Sequence, residues 1–82
     1  MDIDNLENLV WLVENEGEVS IGRVGPYPCI AVATDEHNQL AALVKKSDES
    51  VGGLLMRLNE AVQKAWDDEI FTDEINNWNA PR

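Results

Sequence analysis

The sequence predicts an α+β fold. A single domain over residues 1–82 has the order α-β-β-β-α with a short C-terminal helix, and a three-stranded antiparallel sheet packs against the helices. Three observations carry this reading. Apolar residues recur at three- and four-residue steps in two stretches, residues 3–13 and 51–66. Between them the period drops to two over short runs rich in valine, isoleucine and alanine. Turn-forming residues at Gly25-Pro26-Tyr27-Pro28 and Asp35-Glu36-His37-Asn38 divide those runs.

The first helix is expected over residues 3–15. Asp4 stands at its N-cap with Glu7 three residues on, a capping-box pattern with aspartate in place of serine or threonine. Ile3, Leu6, Leu9, Val10 and Val13 define one apolar stripe; Trp11 and Leu12 widen it, which implies cover on more than one side. Gly17 is placed for a left-handed C-terminal cap. Asp2, Asp4 and Glu7 suit the positive end of the helix dipole, whereas Glu14, Glu16 and Glu18 crowd the end where carboxylates gain nothing from it.

Residues 18–24 alternate as a half-buried strand should. Two prolines close together, neither able to donate a ladder hydrogen bond, then break the chain. Residues 29–34 form the second strand and residues 39–46 the third, joined by a short polar turn into an antiparallel hairpin. Ser47-Asp48-Glu49-Ser50 starts a second helix of about 18 residues, on which Val51, Leu54, Leu55, Leu58, Ala61, Val62, Ala65 and Trp66 share a buried face. Gly52 and Gly53 each cost roughly 1 kcal/mol in a helix, which a close approach of that turn to the sheet would explain. Thr72 is expected to cap a last short helix carrying Phe71, Ile75 and Trp78 on one face, stopped by Pro81.

Charge sets the functional classes. Sixteen acids face six bases, a net charge of −10 on 82 residues, so phosphate backbones and anionic lipids are repelled. No apolar run approaches the roughly 20 residues of a transmembrane helix, and no signal peptide opens the chain. A single cysteine excludes an internal disulfide framework and fits a reducing cytoplasm. No sequence pattern implies a cofactor or a metal, and none names a reaction. A Cys29–His37 nucleophilic pair needs the two in contact with a third group orienting the base. One begins a strand and the other sits in the turn after it, so a buried strand cysteine and an exposed turn histidine are expected. Asp67, Asp68, Glu69, Asp73 and Glu74 lack the alternating ligands and central glycine of a calcium loop. The expectation is a protein without enzymatic activity.

The distribution of the acids is more informative than their number. Eleven of the sixteen lie in residues 1–18 and 66–82, and five of the six bases lie between Arg23 and Lys64. A domain of this size spans about 25–30 Å, a length of DNA carrying roughly 15–18 charges. Ten net negative charges fall short of that number but stay in a usable range, so the carboxylates are read as a phosphate-like array offered to a basic site on another protein. Trp66, Phe71 and Trp78 are interleaved with the acids as candidate anchors, although the spacing of Trp66 puts it on the buried face.

The helix, three strands, long helix and acidic segment, with Met1-Asp2-Ile3-Asp4-Asn5-Leu6, the turn Asp35-Glu36-His37-Asn38, Glu49-Ser50-Val51, Ala65-Trp66-Asp67-Asp68-Glu69 and Phe71, resemble a small acidic anti-CRISPR protein of the kind that inhibits RNA-guided nucleases. The resemblance implies a phage or mobile-element protein that acts by DNA mimicry. It implies one contact group at Asp35, Glu36 and Asn38 and another at Asp67, Asp68 and Glu69; Asp73, Glu74 and Trp78 complete the candidate set. The chain departs from that pattern in its Gly25-Pro26-Tyr27-Pro28 break, its fewer acids and its less polar sheet. Residues 29–64 are also similar to the core of HicB-type antitoxins, which cover a basic RNA-cutting toxin. The double-stranded-RNA-binding domain shares the element order, but Lys45, Lys46 and Lys64 are too few to supply its basic contacts. The expected partner is therefore a basic nucleic-acid-binding protein, such as the CRISPR nuclease that the first resemblance implies, or a basic toxin, with neither nucleic acid nor membrane bound directly. The chain itself is expected as a monomer or, where sheet edges need cover, a homodimer.

Overall fold

The computed structural model describes residues 6–75. Their order is α1 (Glu7–Glu14), β1 (Glu18–Val24), β2 (Tyr27–Thr34), β3 (Gln39–Val44), α2 (Val51–Asp68) and β4 (Thr72–Asp73). The class is α+β, but the sheet is four-stranded and mixed, in the order β1-β2-β3-β4 with β4 parallel to β3. The three-stranded antiparallel expectation is corrected at Thr72, which lies in β4; Glu74 and Ile75 then turn helical at the end of the described residues, so the expected last helix starts two residues after Thr72. The cause is topological. α2 carries the chain back to the start of β3, so the segment that follows runs in the same direction as β3 and pairs with its open edge. Asp4, at the expected first cap, and Trp78, on the expected last helix, lie outside the described residues.

One parity of the strands faces the helices. Ala31, Ala33, Ala41 and Leu43 are buried against Leu9 and Leu12 of α1 and Leu54, Leu58, Val62 and Ala65 of α2. The small strand residues let both helices approach the sheet closely. Ile30 and Ala42 are buried too, outside this cluster. No helix of the described residues is long and apolar enough to cross a membrane.

Several local expectations change. Tyr27 and Pro28, expected in the break between strands, belong to β2, and the bond between them, whose isomer the sequence leaves open, is trans. The prolines do not end the pairing because Gly25 and Pro26 form a tight hairpin turn, with Gly25 at φ 54°. Pro28 falls where the register slips between Gly22↔Ile30 and Val24↔Tyr27, a bulge that needs no donor from it. At the end of α1 the left-handed residue is Glu16, at φ 71°, and not Gly17. Gly17 instead donates to the Leu12 carbonyl at 2.7 Å, and a Cβ on it would lie 2.5 Å from the Leu12 side chain. Gly53 abuts the capping loop, not the sheet: its Cβ would meet Ser50 Oγ at 3.3 Å. α1 is covered on one side only, with Trp11 and Val13 more than half exposed.

Two polar clusters tie the elements together. Leu6, at the N-cap of α1, has no capping side chain; Asn59 of α2 supplies one, its Oδ1 accepting from the N–H groups of Asn8 (2.9 Å) and Leu9 (3.2 Å). Arg57 of α2 donates through Nε and Nη2 to both oxygens of Glu49, through Nη1 to Glu74 Oε2 at 2.9 Å, and through Nη2 to the Val44 carbonyl. Glu74 Oε1 accepts the Val44 N–H at 2.9 Å, so a carboxylate continues the β3–β4 ladder where the backbone pairing stops.

Candidate partner-binding site

The register sorts the charges to the two ends of the sheet. Glu18, first in β1, pairs with Thr34, last in β2, next to the turn at residues 35–38. Thr72 pairs with Ala41 in parallel, so residues 69–71 run beside the start of β3, at that same turn. One end of the molecule therefore gathers Glu14, Glu16 and Glu18 from the α1–β1 junction, Asp35 and Glu36 from the turn, and Asp67, Asp68 and Glu69 from the end of α2. Arg23, Lys45 and Lys46 lie at the opposite end. Among the described residues, Lys64 is the base on the acidic side, one turn before the end of α2.

The acids differ in what they are free to do. Asp35 Oδ1 accepts the N–H groups of His37 (2.8 Å) and Asn38 (2.6 Å). These two bonds hold its carboxyl below the usual carboxylate range and shape the turn that displays Glu36 and Asn38, both exposed. Asp67 accepts from Gln63 Nε2 at 2.8 Å, one turn back on the same helix. Asp68 and Glu69 are exposed. Asp73 is half-buried in β4, and Glu74 is engaged with Arg57 and Val44, away from this end.

Backbone conformation singles out two of them. Glu16 (φ 71°) and Glu69 (φ 57°) are the non-glycine residues with positive φ among those described, and each ends a helix. Glycine is the ordinary occupant of that position, because a side chain there costs on the order of 1 kcal/mol.

Aromatic surface accompanies the acids. Trp11 and Trp66 meet edge to face, ring centroids 5.3 Å apart at 79°. Trp66, expected on the buried face of its helix, is 38% exposed because its ring leans out onto Trp11. With Glu7 and Asn8 the two tryptophans line an open cleft of about 420 Å³. Phe71, just past the α2 acids, is 54% exposed. The candidate anchor Trp78 lies outside the described residues.

Cys29 and His37 are not brought together. Five strand steps, about 16 Å, separate Cys29 from Thr34, and His37 lies beyond it on the exposed turn. No three histidine, cysteine, aspartate or glutamate side chains converge as metal ligands among the described residues.

The sequence reading left Glu14, Glu16 and Glu18 out of the contact set. The signal lay in the hairpin order: if residues 18–24 and 27–34 pair antiparallel, the first residue of one adjoins the last of the other, and the turn after it. Compared with protein-family models, curated proteins and solved structures, the chain matches none.

Proposed function

We propose that this protein has no enzymatic role and binds a basic nucleic-acid-binding surface on another protein, presenting its acidic end where that partner otherwise holds a phosphate backbone. One observation carries the reading: eight carboxylates from three separate chain segments meet at one end of the sheet, while Arg23, Lys45 and Lys46 lie at the other. The strained backbone at Glu16 and Glu69 favours the same view, since an outlier kept where glycine is more stable marks a residue retained for what its side chain does. Long-range attraction steers a basic partner onto this end, and Trp66 and Phe71 beside the acids offer apolar contact once it docks. In the form implied by the resemblance to acidic anti-CRISPR inhibitors, the partner is an RNA-guided nuclease and the protein is encoded by a phage or mobile element. Asp35 acts by shaping the turn, and Glu36, Asn38, Asp67, Asp68 and Glu69 make the contacts.

The test is capture from a bacterial lysate on the immobilised protein, eluted with a salt gradient. A basic nucleic-acid enzyme that elutes with salt, is competed off by duplex DNA, and is lost with Asp67→Lys/Asp68→Lys supports the proposal. A small basic toxin indifferent to duplex DNA overturns mimicry in favour of antitoxin-like neutralisation. A partner insensitive to salt overturns both.

A further inference from the structure

The outer edge of β1 has the features of a second binding surface. Along the hairpin, the Lys45 N–H donates to the Cys29 carbonyl at 3.0 Å, so odd-numbered residues of β2 bond to β3. Even-numbered ones must then bond to β1, which with the pairs Ser20↔Val32 and Gly22↔Ile30 turns the backbone of Ser20 and Gly22 inward. The N–H and C=O groups of Val19 and Ile21 point away from the sheet, and among the described residues no strand lies beyond β1. Natural edges are blunted by charged side chains, proline, bulges or a covering segment; β1 has a charge and a bulge at its far end, at Arg23 and between Gly22 and Val24, but over residues 19–22 it has no charged side chain or proline, and among the described residues no strand covers it.

The same two residues reach an apolar groove. Their side chains, on the helix side of the sheet, line a cavity of about 370 Å³ with Val10 and Val13 of α1 and Leu55 of α2. Ile21 is 44% exposed and Val13 55%. The charge along it is polarised: Glu14 belongs to the lining and Glu16 and Glu18 stand at the same end, while Arg23 lies at the far end of β1. A second copy of a chain with net charge −10 is repelled there, whereas a cationic segment is attracted.

We propose that β1 accepts an extended, basic peptide segment of a partner protein as an added strand, its backbone paired with Val19 and Ile21, two alternate apolar side chains over the groove, and lysine or arginine beside Glu14, Glu16 and Glu18. Residues directly opposite in a ladder share a face, so the partner residues facing Val19 and Ile21 are those that enter the groove. The recognition is strand addition, with affinity from the main chain and selectivity from alternate side chains. It does not depend on the phosphate-like array, although three acids serve both.

The probe is a blocked synthetic peptide in which two valines alternate with threonines and are followed by two lysines, tested together with its reversed sequence by amide chemical-shift titration of the labelled protein. One of the two is expected to bind, with the largest shifts in β1 and at Val13 and Leu55. N-methylation of the peptide at the paired amides should weaken binding about tenfold, as loss of one or two hydrogen bonds requires. Ile21→Pro, which removes an outward N–H and leaves the inward bonds of Ser20 and Gly22, should do the same. Replacing the lysines by glutamates should abolish binding, and Asp67→Lys/Asp68→Lys should leave it intact, which separates this surface from the proposed mimicry. No binding by either peptide, equal binding by the methylated one, or a concentration-dependent dimer dispersed by Ile21→Pro would overturn the proposal, the last by making a second copy the occupant.

Discussion

Arg57 grips Glu49 with two parallel hydrogen bonds, Nε to Oε2 at 2.7 Å and Nη2 to Oε1 at 3.0 Å. The pair joins the middle of α2 to the loop before it, and its side chains are 27% and 12% exposed. Arg57, aided by the Lys46 N–H and opposed by burial, lowers the Glu49 carboxyl from 4.5 to about 2.

A carboxyl held lower in the folded chain than in the unfolded one stabilises the fold fully above its unfolded value. That contribution is lost as pH falls from about 4.5 toward about 2. We expect Glu49→Gln to cost on the order of 2 kcal/mol at pH 7 and progressively less below pH 4.5. Urea melts of both proteins across pH 2–7 measure the difference, from which the general relief of negative charge cancels. A difference that does not shrink with acid would sink this assignment.

Asn59 should behave as a cap contributed from another helix. Asn59→Leu removes the acceptor for two N–H groups of α1, with an expected loss of about 1–2 kcal/mol. Asn59→Asp keeps the oxygen and should stay near wild type, aided by the dipole of α1. Equal losses for both, in chemical denaturation, would show that packing and not capping is at work.

Opposite signs are expected at the helix-ending glutamates. Glu16→Gly and Glu69→Gly should each stabilise the fold by up to about 1 kcal/mol, since both residues have positive φ, while weakening capture of a basic partner. Thermal melts and the salt-gradient capture read the two effects separately. If stability rises and capture is unchanged, the two acids have no part in binding.

Gly22 is the fourth case. Its φ is 153°, and a Cβ there would find nothing within 4 Å, so any penalty is conformational. Gly22→Ala should cost about 1–3 kcal/mol, and D-alanine at that position, introduced by chemical synthesis, should recover most of it. A D-alanine chain as unstable as the L-alanine one would contradict this.

What the sequence made legible was local. The 3.6-residue period of residues 51–66 and the cap at Ser50 gave α2 its length, because a buried stripe and a cap are written in neighbouring residues. Val19 and Ile21 gave β1 the same way. The fourth strand was hidden because Thr72 and Asp73 have no strand character of their own. They pair because α2 delivers them to the open edge of β3 and because Glu74, thirty residues from Val44, takes its N–H. The candidate site was half legible: the turn and helix-end acids stood out as runs. Their meeting with Glu14, Glu16 and Glu18 is a product of strand register, which no local pattern contains. Trp66 was misplaced for a related reason, since its partner Trp11 lies on another helix.

The Asn59 cap also fixes the order in which the chain can be assembled during synthesis. α1 has eight residues, well short of the roughly 12–15 at which an isolated helix becomes even marginal in water. The acceptor for its first turn lies more than forty residues downstream. α1 leaves the ribosome before α2 and must therefore wait for it, becoming a settled helix only after Asn59 has emerged.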